Sequence, residues 1–459
     1  MTQKFPRKAA ISGVSKVASE SHTAHKTNAT QSRAAQEFTL KTAILDISKA
    51  ANAQEFTRKA NPKSAISAAV AALCLGAATL FLAPTNAAAL EFNELGHKAT
   101  AMGGVGVAVK NNPYATFYNP ALTAANPSTR FGYGLGGSFA EKNILDVFNY
   151  NFNSISGADI DKFNALLNEN FANIKAQGAL AFKIPDVLPF GQLSVGFAYN
   201  AYATANFTGQ LRMPNDLQEA LDIIKGASKP IYLNTRRVDV MEIPVTYAAS
   251  LETPAGQLSV GAALKFMNAK SKLSNRALGL TDNKDDVINE LTDTLKGSGA
   301  TNASNVGLDL GVVYEPLDLG LSVGLTAKYL NAPRFKFGAN GELKIKPQAR
   351  LGVGYSPIER LTIAADVDLT SNELVSASDA AKVQKSQKAG VGVAFDMLFF
   401  GARAGVAKDF RQDNGAILSA GLGFGVLDIG FAMATETSKV NGTSYPRYFA
   451  LTLGGGFSF

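Results

Sequence analysis

Catalysis needs side chains that exchange protons, bind metals or attack carbon, and this chain is short of them. It has three histidines, of which only His97 lies beyond residue 89, and one cysteine, Cys74, which lies before it. His97 sits beside Lys98, with no base and orienting partner to complete a triad. A Cys/His metal site, a CxxC pair and a disulfide frame each need more than one lone His. Gly132-Tyr-Gly134-Leu-Gly136-Gly137 fits the dinucleotide fingerprint GxGxxG formally, but that motif needs a helix at once, so that a phosphate meets its N-terminus. Here an extended pattern runs on to Phe139. No catalytic residue, metal or cofactor is assigned, and the chain is expected not to be an enzyme.

Charge removes another class. The formal charge is +7, yet residues 1–89 hold 11 Lys and Arg against 4 Asp and Glu, leaving 33 of each beyond them. The later part has no basic surplus with which to neutralise phosphates, so no nucleic-acid partner is expected. The excess belongs to a leader. A cationic stretch up to Lys63, an uncharged apolar run from Ala65 to Ala83 and the triplet Ala87-Ala88-Ala89 have the three-part order of a secretory signal cleaved before Leu90. Residues 1–60 are polar, with AQEFT at Ala35–Thr39 and again at Ala53–Thr57, and are expected to be unstructured.

Beyond Ser128 the dominant period is two. In QLSVGAALKFMN, Leu258, Val260, Ala262, Leu264 and Phe266 share one face, and Ser259, Gly261, Ala263, Lys265 and Met267 the other. Fourteen such strands are predicted, centred near residues 135, 181, 198, 245, 264, 311, 325, 349, 365, 391, 404, 420, 433 and 453. Short turns such as TPAG, EPLD and SPIE alternate with longer links. An even strand count with short turns at one end and long loops at the other is the layout of a bacterial outer-membrane barrel, with both chain ends in the periplasm. A soluble sandwich also alternates, but its strands are mostly shorter than these. The expected fold is therefore all-β, a 14-stranded antiparallel transmembrane barrel over residues 129–459.

A lipid-facing wall constrains the charges. Lys or Arg facing lipid at mid-membrane costs about 2–4 kcal/mol, so Lys346 and Arg350 must point inward. With Asp366 and Asp368 inward on the next strand and SPIE as the turn, Arg350 is expected to contact Asp366, with Lys346 and Asp368 nearby. Tyr314, Tyr329 and Tyr355 are candidates for the interfacial girdle of a chain that has no Trp. The first three long loops each carry an apolar stripe at helical spacing, through Phe163, Leu167 and Phe171, through Leu221 and Ile224, and through Leu291 and Leu295. These helices either pack on the barrel mouth or form a groove for apolar ligands.

Residues 90–128 fit neither period. HKATAMGGVGVAVKNNPYATFYNPAL, with Gly103, Gly104 and Gly106 and the triplet Asn119-Pro120-Ala121, resembles the N-terminal hatch of FadL-type outer-membrane transporters of hydrophobic compounds. In that family the segment folds into the lumen as a plug. AMGGVGVA and FYNPAL, then NVGLDLGVVY, IKPQARLGVGYSPIERLTIAADVDLT, GARAGVAKDF and SAGLGFG, resemble in this order the TraF-like proteins named for conjugal transfer, which are FadL-like barrels. The closing strand YFALTLGGGFSF, ending at Phe459, resembles the signal read by the barrel assembly machinery.

The resemblance implies an outer-membrane barrel, surrounded by lipid, that passes small hydrophobic molecules passively past an N-terminal plug. The alternative is a structural or partner-binding barrel linked to conjugal transfer or cell-surface assembly.

Overall fold

The computed structural model describes residues 90–459, apart from 93, 126–129, 149, 151–156, 189–190, 217–218, 220–221, 223–227, 280–283, 318, 379–382, 398, 441 and 459. The leader and its cleavage site, the stripe through Leu221 and Ile224, and Phe459 lie outside the described residues.

Fourteen strands close into one antiparallel barrel. They are β1 (Arg130–Lys142), β2 (Phe171–Leu188), β3 (Gly191–Gly209), β4 (Ile231–Thr253), β5 (Gly256–Leu278), β6 (Thr301–Pro316) and β7 (Leu321–Lys328). There follow β8 (Gln348–Ile358), β9 (Leu361–Asp368), β10 (Lys388–Asp396), β11 (Phe400–Asp409), β12 (Ala416–Phe424), β13 (Leu427–Ala434) and β14 (Tyr448–Ser458). Neighbours in sequence are neighbours in the wall, and β14 returns to β1 with Phe131 opposite Phe457 and Gly134 opposite Gly454. Closure satisfies every ladder internally, which a strand wall in lipid requires.

Alternation sorts the side chains as a barrel demands. On β5 the outward Leu264 and Phe266 are 45% and 52% exposed, whereas the inward Ser259, Ala263 and Lys265 are fully buried. No helix among the described residues is long and apolar enough to cross a membrane.

The wall is uneven in height. β4 and β5 run 23 residues each and β7 only eight. Since ten or so tilted residues cross a bilayer, β2 to β6 stand well above it at the long-loop end. That extension carries helices α4 (Ile144–Phe148), α5 (Gly157–Asn168) and α6 (Lys284–Lys296), and residues 90–125 carry α1 (His97–Ala101), α2 (Ala115–Tyr118) and α3 (Leu122–Ala125).

Three expectations need correction. The stripe through Phe163 and Leu167 does not continue as helix to Phe171, because Asn170 ends it: its amide donates to Leu166 O, Leu167 O and Phe207 O, and its own carbonyl accepts from Phe207 N–H. Phe171 instead begins β2. On α6, Leu291 is partly buried but Leu295 points out at 42% exposure, since Thr294 makes the inward contact, 2.7 Å from Thr235. Tyr329 is no girdle residue. With φ of 53° it turns off the end of β7 into the lumen, where it is buried.

Candidate functional site

Residues 90–125 occupy the barrel's interior. A Cβ added at Gly196 of β3, Gly261 of β5, Gly324 of β7, Gly392 of β10, Gly421 of β12 or Gly456 of β14 would lie within 3 Å of Phe117, Pro120, Val107, Met102, Ala101 or Pro113, respectively. A segment that meets strands all the way round the wall can only be inside it. Glycine at these inward positions lets the segment come directly against the wall, with its backbone at Gly261, Gly324 and Gly392 and with side chains at Gly196, Gly421 and Gly456. Gly103 and Gly104 have φ of 71° and 81°, a left-handed pair that turns the chain directly after α1.

Polar pins fix the segment. Asn119 is extended (φ −150°, ψ 113°) and wholly buried; its amide donates to Val107 O and to Val312 O of β6, both at 3.1 Å. Its carbonyl accepts from Ala121 N–H at 3.1 Å, so Asn119 fastens the Pro120-Ala121 turn to the wall. Ser419 of β12 accepts from Gly103 N–H and donates to Ala101 O. Asp366 of β9 accepts from Gly106 N–H at 2.8 Å and Val107 N–H at 3.0 Å.

The expected Arg350–Asp366 contact is therefore not made. Arg350 lies opposite Asp368, and its Nε donates to Asp368 Oδ1 at 2.6 Å. The tight turn falls at Glu359-Arg360, beyond the centre of SPIE, and an irregularity between Tyr355 and Ile358 takes up one residue, so the register slides by two. Arg350 also donates to Gly104 O at 3.0 Å. Lys346 lies in the loop before β8, outside the strand that carries Arg350, and pairs with Glu373, not with the ladder. Asp368→Ala would leave Arg350 buried without its carboxylate, an expected loss of about 3–5 kcal/mol. A fall in the heat-unfolding temperature of the purified barrel checks this; an unchanged temperature refutes the pairing.

Above the glycine belt the lumen is charged and filled. Lys265 Nζ is 2.7 Å from Asp309 and 3.3 Å from Glu242, which also accepts from Tyr329 OH at 2.6 Å. Phe92 is in contact range of two cations, Arg350 Cζ at 3.9 Å and Lys328 Nζ at 4.4 Å from its ring centroid. Burial by itself would raise the Glu91 carboxyl, but Lys175 and Lys388 pull it below its usual value. A hairpin from the loop after β7, Arg334–Lys336 with Glu342–Lys344, folds over this layer. Its Phe335 and Leu343 pack with Leu90, Tyr202, Val240 and Met267. Voids beside Glu91 measure about 40 and 20 Å³, whereas a cavity that takes benzene is about 150 Å³. On the outer rim Phe163 and Leu167 of α5 pack down with Phe207, Leu211 and Leu233.

At the short-turn end a relay of ions joins segment to wall. His97 Nε2 is 2.8 Å from Asp428, Arg403 bridges Asp428 (2.7 Å) and Asp396 (2.8 Å), and Asp396 holds Lys98 Nζ at 2.8 Å. Sequence reading set His97 aside as non-catalytic and missed this role. The usable signal was Arg403, a cation of inward parity between glycines Gly401 and Gly405, which had to find acids.

The family described as "F plasmid transfer operon, TraF, protein" matches residues 116–368, from α2 to the end of β9. No curated protein matches the chain in sequence. Among solved structures, the TodX monoaromatic hydrocarbon channel deltaS2 mutant is 14% identical with a TM-score of 0.50, over 81% of this chain and 100% of that one. The toluene transporter TbuX of Ralstonia pickettii is 15% identical at 0.43, over 80% and 98%, and the toluene transporter TodX of P. putida 14% identical at 0.47, over 80% and 99%. At such identities the likeness is one of fold.

Proposed function

The chain belongs to the F plasmid transfer operon TraF protein family, and from that premise we propose that it is a non-enzymatic outer-membrane barrel that admits small hydrophobic compounds when residues 90–125 yield. In this reading the short-turn end faces the periplasm, the signal is cut before Leu90, and monoaromatic compounds, named for the fold relatives, are the first substrates to try.

One observation carries the reading. A barrel meant to stay shut can fill its bore with its own wall side chains, as small barrels do. This wall presents glycine inward and leaves the filling to a separate segment held by hydrogen bonds and ion pairs, which are contacts that can be exchanged for water. A second reading, a permanently sealed barrel whose loops bind a partner, draws on the small voids beside Glu91 and the hairpin above them. Uptake separates the two. Cells producing the protein should take up a labelled monoaromatic tracer faster than cells lacking it, and the difference should persist with excess unlabelled hydrophile. Equal rates would leave the sealed-barrel reading standing.

A further inference from the structure

We propose that the chamber at the short-turn end of the barrel is a binding seat for a small organic carboxylate. The seat is open whether or not the lumen conducts, so it does not depend on the transport reading. The chamber measures about 310 Å³, at the lower end of ligand pockets, and is lined by Lys98, Arg130, Arg403, Asp396 and Asp428.

Among the described residues its charges do not cancel internally: three formal cations face two carboxylates, without counting His97, and both carboxylates are already shared by Lys98, Arg403 and His97. Among the described residues Arg130 has the neutral side chain of Asn111 as its partner, at 3.0 Å, and no carboxylate. Arg130 Nε and Arg403 Nε are buried donors with no acceptor, although the Arg403 side chain is only 7% exposed. A buried N–H without an acceptor is costly, and an oxyanion in the chamber would supply one. The local field is positive at Lys98 as well: burial pushes its ammonium down, Asp396 partly restores it, and Arg403 and Arg130 depress it further.

The chemistry of the guest follows from this balance. One surplus positive charge suits a monoanion; a phosphate dianion would overcompensate and meet Asp396 and Asp428 at close range. Met397, Phe399 and Phe457 at the rim offer apolar surface for the rest of the molecule. A planar carboxylate also matches the fork of a guanidinium with two parallel hydrogen bonds.

Benzoate and its neutral isostere benzamide are the probes, measured by equilibrium dialysis against the purified full-length barrel. Benzoate should bind saturably, one per chain, while benzamide should not, and rising salt should weaken the binding. Arg130→Gln should weaken benzoate at least about tenfold, the effect of losing one charge-assisted hydrogen bond of about 1.4 kcal/mol. Equal binding of the two probes to the unmodified protein, absence of saturable benzoate binding, or unchanged affinity in a folded Arg130→Gln barrel would each overturn the proposal. The benzamide comparison decides even if that variant does not assemble.

Discussion

Deletion of Leu90–Ala125 should turn the barrel into a freely conducting one. The ladder that closes the wall, β14 to β1, contains none of the deleted residues, so assembly should survive the loss. What disappears is the material across the bore at the glycine belt, where Met102, Val107, Phe117 and Pro120 now stand against the wall. The glycines of the belt cannot replace it, because they have no side chains to extend. Fourteen strands lie between the small barrels whose interiors fill with side chains and the porins of about 16–18 strands that enclose water. The inward charges left behind, Asp366, Arg350, Arg403 and Asp428, hydrate readily and favour an aqueous pore. Single-channel recording in planar bilayers should show conductance an order of magnitude or more above that of the intact protein. A silent deletion barrel, shown to be folded by its heat-dependent gel mobility, would mean that the outer hairpin and the charged layer seal the lumen alone. The gated-channel reading would then fail.

How much of this was legible depends on the range of the physics involved. Strand existence is local: alternation in a window of ten residues is enough, and the predicted centres near 264, 404, 420 and 453 fall inside β5, β11, β12 and β14. Inward parity was legible too, because lipid excludes charge, and so Arg350, Asp366 and Asp368 were placed on the right face. Partnership was not. Which inward acid meets Arg350 depends on where a turn tightens and whether a strand bulges, and a two-residue slide preserves every side chain's face while changing every neighbour. The helical stripe overran into Phe171 for a related reason. Periodicity has no punctuation of its own, and the stop came from Asn170 reaching Phe207, 37 residues away. The lumen site was the least legible, since its pins join Gly103 to Ser419 and Lys98 to Asp396, across roughly 300 residues. What pointed to the lumen was the segment's small residues and the Asn119-Pro120-Ala121 triplet, through their resemblance to a hatch, and neither names a contact on the wall.

The second large effect should come from a wedge rather than a deletion. Gly392 of β10 and Gly405 of β11 are register partners, and both face inward onto the turn after α1. A Cβ at Gly392 would stand 2.3 Å from Met102 O, and one at Gly405 2.4 Å from Met102 C. These are backbone atoms, which cannot swing aside as the end of a side chain can. Gly392→Leu should therefore leave the wall intact, or even favour it, since glycine is a poor strand residue. The turn at Met102-Gly103-Gly104 has to move, and with it go the Gly103–Ser419 and Gly104–Arg350 hydrogen bonds. Overpacking of this kind costs about 1–3 kcal/mol even where neighbours can adjust, and here the strain falls entirely on the segment. Asn119→Ala is the milder comparison: it removes the donor to Val107 O and Val312 O, leaving those carbonyls short of a partner at about 1–3 kcal/mol each at most, without blocking the seat. Conductance is expected to rise from the unmodified protein through Asn119→Ala and Gly392→Leu to the deletion, with protease cleavage inside residues 90–125 rising in step across the three proteins that retain the segment. Val393→Leu, on the lipid face of the same strand, should change neither measurement. If Gly392→Leu matched the unmodified protein in both, the contact between Met102 and the wall would not be the one that holds the segment in place, and the bore would have to be closed elsewhere.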